Sequence, residues 1–366
     1  MNEKKLRPIA IYLPQFHPIP ENNIWWEEGF TEWTNVAKAK PLFKGHYQPH
    51  LPADMGYYDL RVPEAREAQA ALAKEHGIYG FCYYHYWFNG RRLLERPFNE
   101  VLETGKPDFP FMLFWANETW SRRWLGEERD ILIKQTYSTE DDHNHAAYLV
   151  NVFKDKRYIT IDGSPVFIIY RPFDLPDVAA TIRILRNAAE KEGLKLYIVA
   201  SNSHAPLHAQ QQLLNLGFDS VLNFMPQLGA LPDFLSNRFL WRRLSRNMLQ
   251  HSKPSGRLKL FSYKQALKQM QRKEPTDFKN IVPCVFTGWD NTARRNNNAI
   301  IIEGNTPALF KAELIRVKEK LSASRNEHDL FFINAWNEWA EGNHLEPDVL
   351  HGSAFLKAVK DVFEIK

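Results

Sequence analysis

Phe331-Phe332-Ile333-Asn334-Ala335-Trp336-Asn337-Glu338-Trp339-Ala340-Glu341-Gly342 is an apolar run that closes on two carboxylates, with tryptophans beside them. A short hydrophobic run bounded by Asp329 and Asn337 reads as a buried strand. Glu338 and Glu341 then sit just past its C-terminal end, where barrels and open α/β sheets carry their chemistry. Two carboxyls in an aromatic setting suit cleavage of a glycosidic bond. One is protonated to assist the leaving oxygen, and the other is ionised to attack or act as base. An arbitrary Glu-x-x-Glu is usually a pair of solvated loop residues; the strand before this one and the tryptophans around it set it apart.

Working outward from that strand, short apolar runs alternate with segments of helical period. Strands are expected at Pro8–Leu13, Gly80–Tyr84, Phe111–Trp115, Pro165–Ile169, Leu196–Ala200, Ser220–Phe224, Ile281–Phe286 and Leu330–Trp336. Helices are expected at Pro63–His76, Leu93–Glu103, Thr139–Phe153, Asp177–Glu192, Pro206–Leu216, Tyr263–Lys273, Pro307–Ser322 and Ser353–Val362, several opening on a proline at the first turn. A strand followed by a helix, eight times over, is the count of an α/β (β/α)8 TIM barrel. A doubly wound nucleotide-binding sheet carries a glycine-rich turn, which is missing here. The chain reads as a single catalytic domain, residues 1–366, with loop elaborations at 14–62 and 225–262. Long βα loops shape the cleft on the catalytic face.

Composition narrows the class. A hydrophobic share of 44% with 25% charged residues is that of an ordinary globular protein. Aromatics reach 13%, with 11 Trp, and flat rings with one polar edge suit stacking on sugars, although many must simply fill the core. A net charge of +4 is too small for a nucleic-acid track. The local exception is Arg238, Arg242, Arg243, Arg246, Lys253, Arg257 and Lys259, which reads first as a solvated helical face. Cys82 and Cys284 lie in apolar runs and read as reduced core residues. No signal peptide and no membrane-spanning run is visible, so a cytoplasmic location is expected.

With a barrel assumed, the strand ends form one set of candidates. Substrate-binding candidates are Tyr12, Gln15, His17, Trp26, His85, Tyr86, Trp115, Asn117, Glu118, Trp289, Asp290, Arg294, Arg295, Asn337, Trp339 and Glu346. Their convergence at strand tops is the argument, since each taken singly has a structural reading. His85 reads equally as a hydrogen-bonded structural histidine, and Glu118 as a salt-bridge partner of Arg122 or Arg123. Arg294 and Arg295 suit a carboxylate or phosphate, hence an acidic sugar. His17, His46 and His50 offer nitrogens, but a proline-rich loop enforces no ligand geometry, and neither metal nor cofactor is expected. Metalloprotease, serine-hydrolase, P-loop and dinucleotide motifs are lacking.

Several stretches resemble one family. Tyr12-Leu13-Pro14-Gln15-Phe16-His17-Pro18-Ile19-Pro20-Glu21-Asn22, Trp25-Trp26, Gly29-Phe30-Thr31-Glu32-Trp33-Thr34-Asn35-Val36, Tyr83-Tyr84-His85-Tyr86-Trp87-Phe88, Trp115-Ala116-Asn117-Glu118-Thr119-Trp120, Gly288-Trp289-Asp290-Asn291-Thr292 and Asn337-Glu338-Trp339-Ala340-Glu341-Gly342 look like the WbsX-type proteins of bacterial polysaccharide loci. These in turn are similar to glycoside hydrolase family 99, the endo-α-mannosidases. The resemblance implies a metal-free retaining hydrolase on a (β/α)8 barrel. It implies Glu338 as general base on the sugar's own 2-hydroxyl, through a 1,2-anhydro sugar, and Glu341 as general acid/base. Mannose specificity does not carry over, because the 225–262 segment does not align with a mannosidase cleft. Three readings follow for a carbohydrate substrate: a glycoside hydrolase acting on a bacterial surface polysaccharide or oligosaccharide, a glycosyltransferase or transglycosylase of O-antigen or capsule biosynthesis using the same site, or a non-catalytic carbohydrate-binding barrel.

Overall fold

In a computed structural model, residues 6–122, 127–203, 209–232, 258–275, 278–324, 326 and 328–363 are described. Eight parallel strands close into a barrel: β1 (Arg7–Tyr12), β2 (Gly80–Phe88), β3 (Phe111–Trp115), β4 (Ser164–Ile169), β5 (Tyr197–Ser201), β6 (Ser220–Asn223), β7 (Ile281–Phe286) and β8 (Leu330–Asn334). Closure is made at β1, where Ile9 is paired with Gly80 on one side and Phe332 on the other. The strands are apolar throughout because both faces are covered. All of β8 is buried, and each large side chain such as Phe331 contributes roughly 1.5–3 kcal/mol relative to exposure. Gly80 opens β2 because a Cβ there would stand 2.5 Å from the Pro110 carbonyl oxygen.

Each strand is followed by a helix: α1 (Pro63–Glu75), α2 (Arg96–Thr104), α3 (Thr139–Phe153), α4 (Val178–Lys191), α5 (Gln210–Asn215), α6 (Tyr263–Arg272), α7 (Pro307–Ala323) and α8 (Ala354–Phe363). Their starts follow local chemistry. Ser138, Asp177 and Thr306 accept from backbone N–H groups three residues on, and α1 and α7 open on proline.

The expected boundaries shift in two informative places. α2 begins at Arg96 rather than Leu93, because β2 runs on to Phe88 and turns back to pair antiparallel with Arg91–Leu93. β8 stops at Asn334 rather than Trp336, since the Trp336 N–H donates to the Ile11 carbonyl oxygen (2.7 Å), outside the strand ladder. Most of the basic segment, and the first part of the helix expected at Pro206–Leu216, lie outside the described residues. Among the described residues no helix is long and apolar enough to cross a membrane.

Three additions stand at the C-terminal ends of the strands. The loop after β1 carries the short helices Pro20–Trp25 and Glu32–Lys38. A hairpin after β3 pairs Trp120–Arg122 with Glu127–Ile133. A small sheet after β6 and β7 joins Lys259–Ser262, Ile300–Glu303 and Trp289–Asp290.

Candidate active site

Beyond β8, Asn337–Glu338 pairs antiparallel with Asn343–His344, and Trp339–Glu341 turns between them. Gly342 ends that turn at φ 58°, where a Cβ would lie 3.1 Å from Asp290 and 3.2 Å from His50. Left-handed backbone in so tight a place selects glycine. The turn brings Glu338 and Glu341 to the same side, over the barrel mouth.

Both glutamates meet one guanidinium. Arg294 donates from Nη1 to Glu341 (2.6 Å) and from Nη2 to Glu338 (3.0 Å). The same Nη2 pairs with Glu32, which opens the helix Glu32–Lys38 and has no exposed surface. Glu32 also accepts from the Ala340 N–H (3.3 Å), so it fixes both the arginine and the turn. Burial first, then the Glu341 charge, pushes the Glu338 carboxyl up, with Arg294 opposing. Burial raises Glu341 as well, again against Arg294. Carboxylates so placed resist joint ionisation and titrate as a unit, so the pair keeps a proton above the ordinary carboxylate range.

The pair opens on a cavity of about 220 Å³, walled by Trp26, Tyr84, Tyr86, Trp120, Tyr170 and Trp289. Gln15, Asn22 and Asn334 also face it. Gln15 Nε2, both amide atoms of Asn22, Trp289 Nε1 and Asn334 Oδ1 are buried without a hydrogen-bond partner among the described residues. A buried polar group left unpaired costs about 1–3 kcal/mol, so the residues around the cavity carry unmet hydrogen-bonding capacity.

Of the residues expected at the site, Gln15, Trp26, Tyr86, Glu118, Trp289, Arg294, Glu338 and Glu341 line the cavity. Glu118 pairs with Arg171 (3.0 Å), whereas Arg122 pairs with Asp130. The remaining ten expected residues do not line the cavity. Tyr12 donates to Gln69 (2.6 Å) behind β1. Gln69, Tyr58 and Trp339 all donate to Glu346, so Trp339 and Glu346 are parts of a buried network beneath the site. Asn337 bridges to the backbone of Leu13, accepting from its N–H (2.8 Å) and donating to its carbonyl (3.0 Å). Asn117 does the same for Arg171. Trp115 donates to the Trp87 carbonyl (3.2 Å) and is 1% exposed. His85 faces His145 (3.0 Å), and burial lowers its pKa to about 3. His17 is buried away from the cavity, and burial lowers its pKa to about 4. Asp290 accepts from Thr292 and pairs with His46 (2.6 Å) in a neighbouring cavity. Arg295 does not line the cavity, and Arg294 is already engaged by three carboxylates, so this arginine pair does not present a free anion reader. His17, His46 and His50 do not converge, since His46 is with Asp290 and His50 with His344.

Glu32, Asn22 and Asn334 were missed. Glu32 follows Thr31 at a helix start, where an acidic residue ordinarily just favours the helix N-terminus. Its long-range partner leaves no local trace.

Residues 8–359 match the family described as Glycosyltransferase WbsX. Two proteins of Xanthomonas campestris pv. campestris named Uncharacterized protein WxcX are 38% and 37% identical to this chain over 364 residues, 96% of it. The chain spans about half the length of these curated relatives, 49% of each. A GH99 endo-alpha-mannosidase from Bacteroides thetaiotaomicron shares the fold, with a TM-score of 0.58 at 13% identity, over 97% of this chain and 96% of that one. A glycoside hydrolase-like protein aligns with a TM-score of 0.57 at 15% identity, over 99% of this chain and 95% of that one. The chain folds as a (β/α)8 barrel, and it belongs to the WbsX glycosyltransferase family.

Proposed function

We propose that this chain cleaves glycosidic bonds in a bacterial surface polysaccharide or oligosaccharide with net retention. One observation carries the reading. A carboxyl pair bridged by Arg294, with Glu338 buried and Glu341 partly buried, stands at the barrel mouth, beside aromatic rings and unpaired amide and indole groups. Hydroxyls of a sugar satisfy those groups, and its apolar faces suit the rings.

In this reading Glu338 takes the proton of the sugar 2-hydroxyl as that oxygen attacks the anomeric carbon. Glu341 gives its proton to the departing oxygen, and a 1,2-anhydro sugar forms. Glu341 then takes a proton from water as water opens the ring at the anomeric carbon, and Glu338 returns its proton to the 2-oxygen. Two displacements at one carbon give net retention.

The resting arrangement starts from the other microstate. Arg294 stands closer to Glu341 than to Glu338, which favours ionised Glu341 and places the shared proton on Glu338. A bound glycoside reverses that preference. Its 2-hydroxyl donates to Glu338 and stabilises the anion, while its glycosidic oxygen accepts from Glu341 and stabilises the acid.

The family description favours a second reading, transfer to a sugar acceptor. A hydroxyl of the acceptor then replaces water in the second step, at the same residues. Both are tested with a panel of α-manno-configured glycosides and their 2-deoxy counterparts, following products by NMR with and without an acceptor sugar. Retained product from the parent and none from the 2-deoxy glycoside supports 2-hydroxyl participation. Turnover of the 2-deoxy compound at a comparable rate rules it out, and product formed only with acceptor selects transfer.

A further inference from the structure

His50, His344 and Asp348 meet on the far side of the Glu338–Glu341 turn, with one ligand-type atom from each inside a 4.8 Å span. His50 Nδ1 is 3.0 Å from His344 Nε2, and Asp348 Oδ2 is 3.9 Å from the same nitrogen. The tautomer of His344 follows from its other side. Its Nδ1 lies 3.0 Å from the Glu346 carbonyl oxygen, which can only accept, so Nδ1 carries the proton and Nε2 presents a lone pair. Asp348 uses its other oxygen to accept from the His351 N–H. An imidazole lone pair and a carboxylate oxygen therefore face each other, with at most the single proton of His50 Nδ1 to share.

This is how ligands stand around a cation. With metal–nitrogen bonds near 2.1 Å, two ligands of a tetrahedral ion lie about 3.4 Å apart, between the 3.0 Å and 3.9 Å spacings seen. A backbone carbonyl holding the remote nitrogen is the usual support of a metal-bound imidazole. Trp339 stacks on His344 with ring centres 3.8 Å apart and fixes the ring plane. The backbone fixes the rest: the Ala53 N–H donates to the Pro347 carbonyl (2.9 Å) and the Val349 N–H to that of Leu51 (3.0 Å). A cavity of about 260 Å³ adjoins the three side chains and gives room for water to complete the shell.

We propose that His50, His344 and Asp348 bind one divalent transition-metal ion, with zinc the best match to two imidazoles and a carboxylate. The ion ties the loop after β1 to the segment that follows Glu341, so it acts as a clamp on the turn and takes no part in bond cleavage. This site stands whether or not the chain cleaves glycosides.

The test uses the full chain without an affinity tag, stripped with EDTA and titrated with Zn2+ or Co2+ alone. One equivalent of metal is expected, with a visible Co2+ absorption band that Zn2+ removes and a higher melting temperature that EDTA reverses. His50→Gln and Asp348→Asn should each weaken binding at least tenfold; Asp348→Asn keeps the oxygen that caps His351. A wild-type protein that takes up neither ion, with no band and no thermal shift, overturns the proposal. Binding that survives both substitutions places the ion elsewhere and overturns it too.

Discussion

Glu32 and Arg294 form an ion pair sealed from solvent, joining the loop after β1 to the segment after β7. Through Arg294 it reaches both glutamates of the turn after β8. Three carboxylates thus depend on one guanidinium. Removing the cation from such a group leaves uncompensated buried charge and costs about 3–5 kcal/mol. Arg294→Gln should therefore melt well below the parent at pH 8. The loss should shrink toward pH 5, because carboxyls whose folded pKa lies above their unfolded one are penalised only once they ionise. A deficit equal at both pH values would show that Arg294 acts through packing instead.

Glu338→Gln should exchange activity for stability. In the parent, the folded pKa of Glu338 is raised, so the folded state binds more protons than the unfolded one. Stability then falls as pH rises from the ordinary carboxylate range through the raised value. The glutamine variant lacks that slope, and should melt higher than the parent near pH 8 and similarly near pH 4. Its turnover should drop about 10²–10⁴-fold, the usual worth of a positioned base. A melting profile parallel to the parent's would remove Glu338 from the shared titration.

Glu341→Gln distinguishes acid from base. If Glu341 protonates the leaving oxygen, its loss is felt most with poor leaving groups, by about 10²–10⁴-fold, and much less with an activated aryl glycoside. Glu338→Gln should be equally damaging with both. The reverse pattern would exchange the two roles.

Much of the fold was legible because barrel strands are buried on both faces and read as unbroken apolar runs, as in Phe111–Trp115 and Ile281–Phe286, where expected and observed bounds coincide. The failures share a cause. Tyr12, Asn337 and Trp339 have the side chains of a sugar site and lie at strand tops, yet each turns inward to a buried partner. Position on a strand sets the height of a side chain in a barrel; its direction depends on partners far away in sequence. Glu32 illustrates the converse, since only the folded chain brings it to Arg294, a separation of 262 residues.

Glu346 offers the sharpest check on that distinction. It was expected to touch substrate, but both its oxygens are occupied: Oε1 accepts from Gln69 (2.7 Å), and Oε2 accepts from Tyr58 (2.8 Å) and Trp339 (2.7 Å). Burial raises its pKa to about 7, with these hydrogen bonds opposing. Glu346→Gln replaces one acceptor oxygen with an N–H2 that faces donors, wherever the amide points. At least one buried donor loses its partner, which costs about 1–3 kcal/mol. The variant should melt lower than the parent near pH 5, where the raised pKa keeps Glu346 protonated and glutamine relieves no ionisation penalty, while its KM for any substrate is unchanged in the fraction that remains folded. A rise in KM with unchanged melting temperature would return Glu346 to the substrate, and the network of Tyr58, Gln69 and Trp339 would then need another purpose.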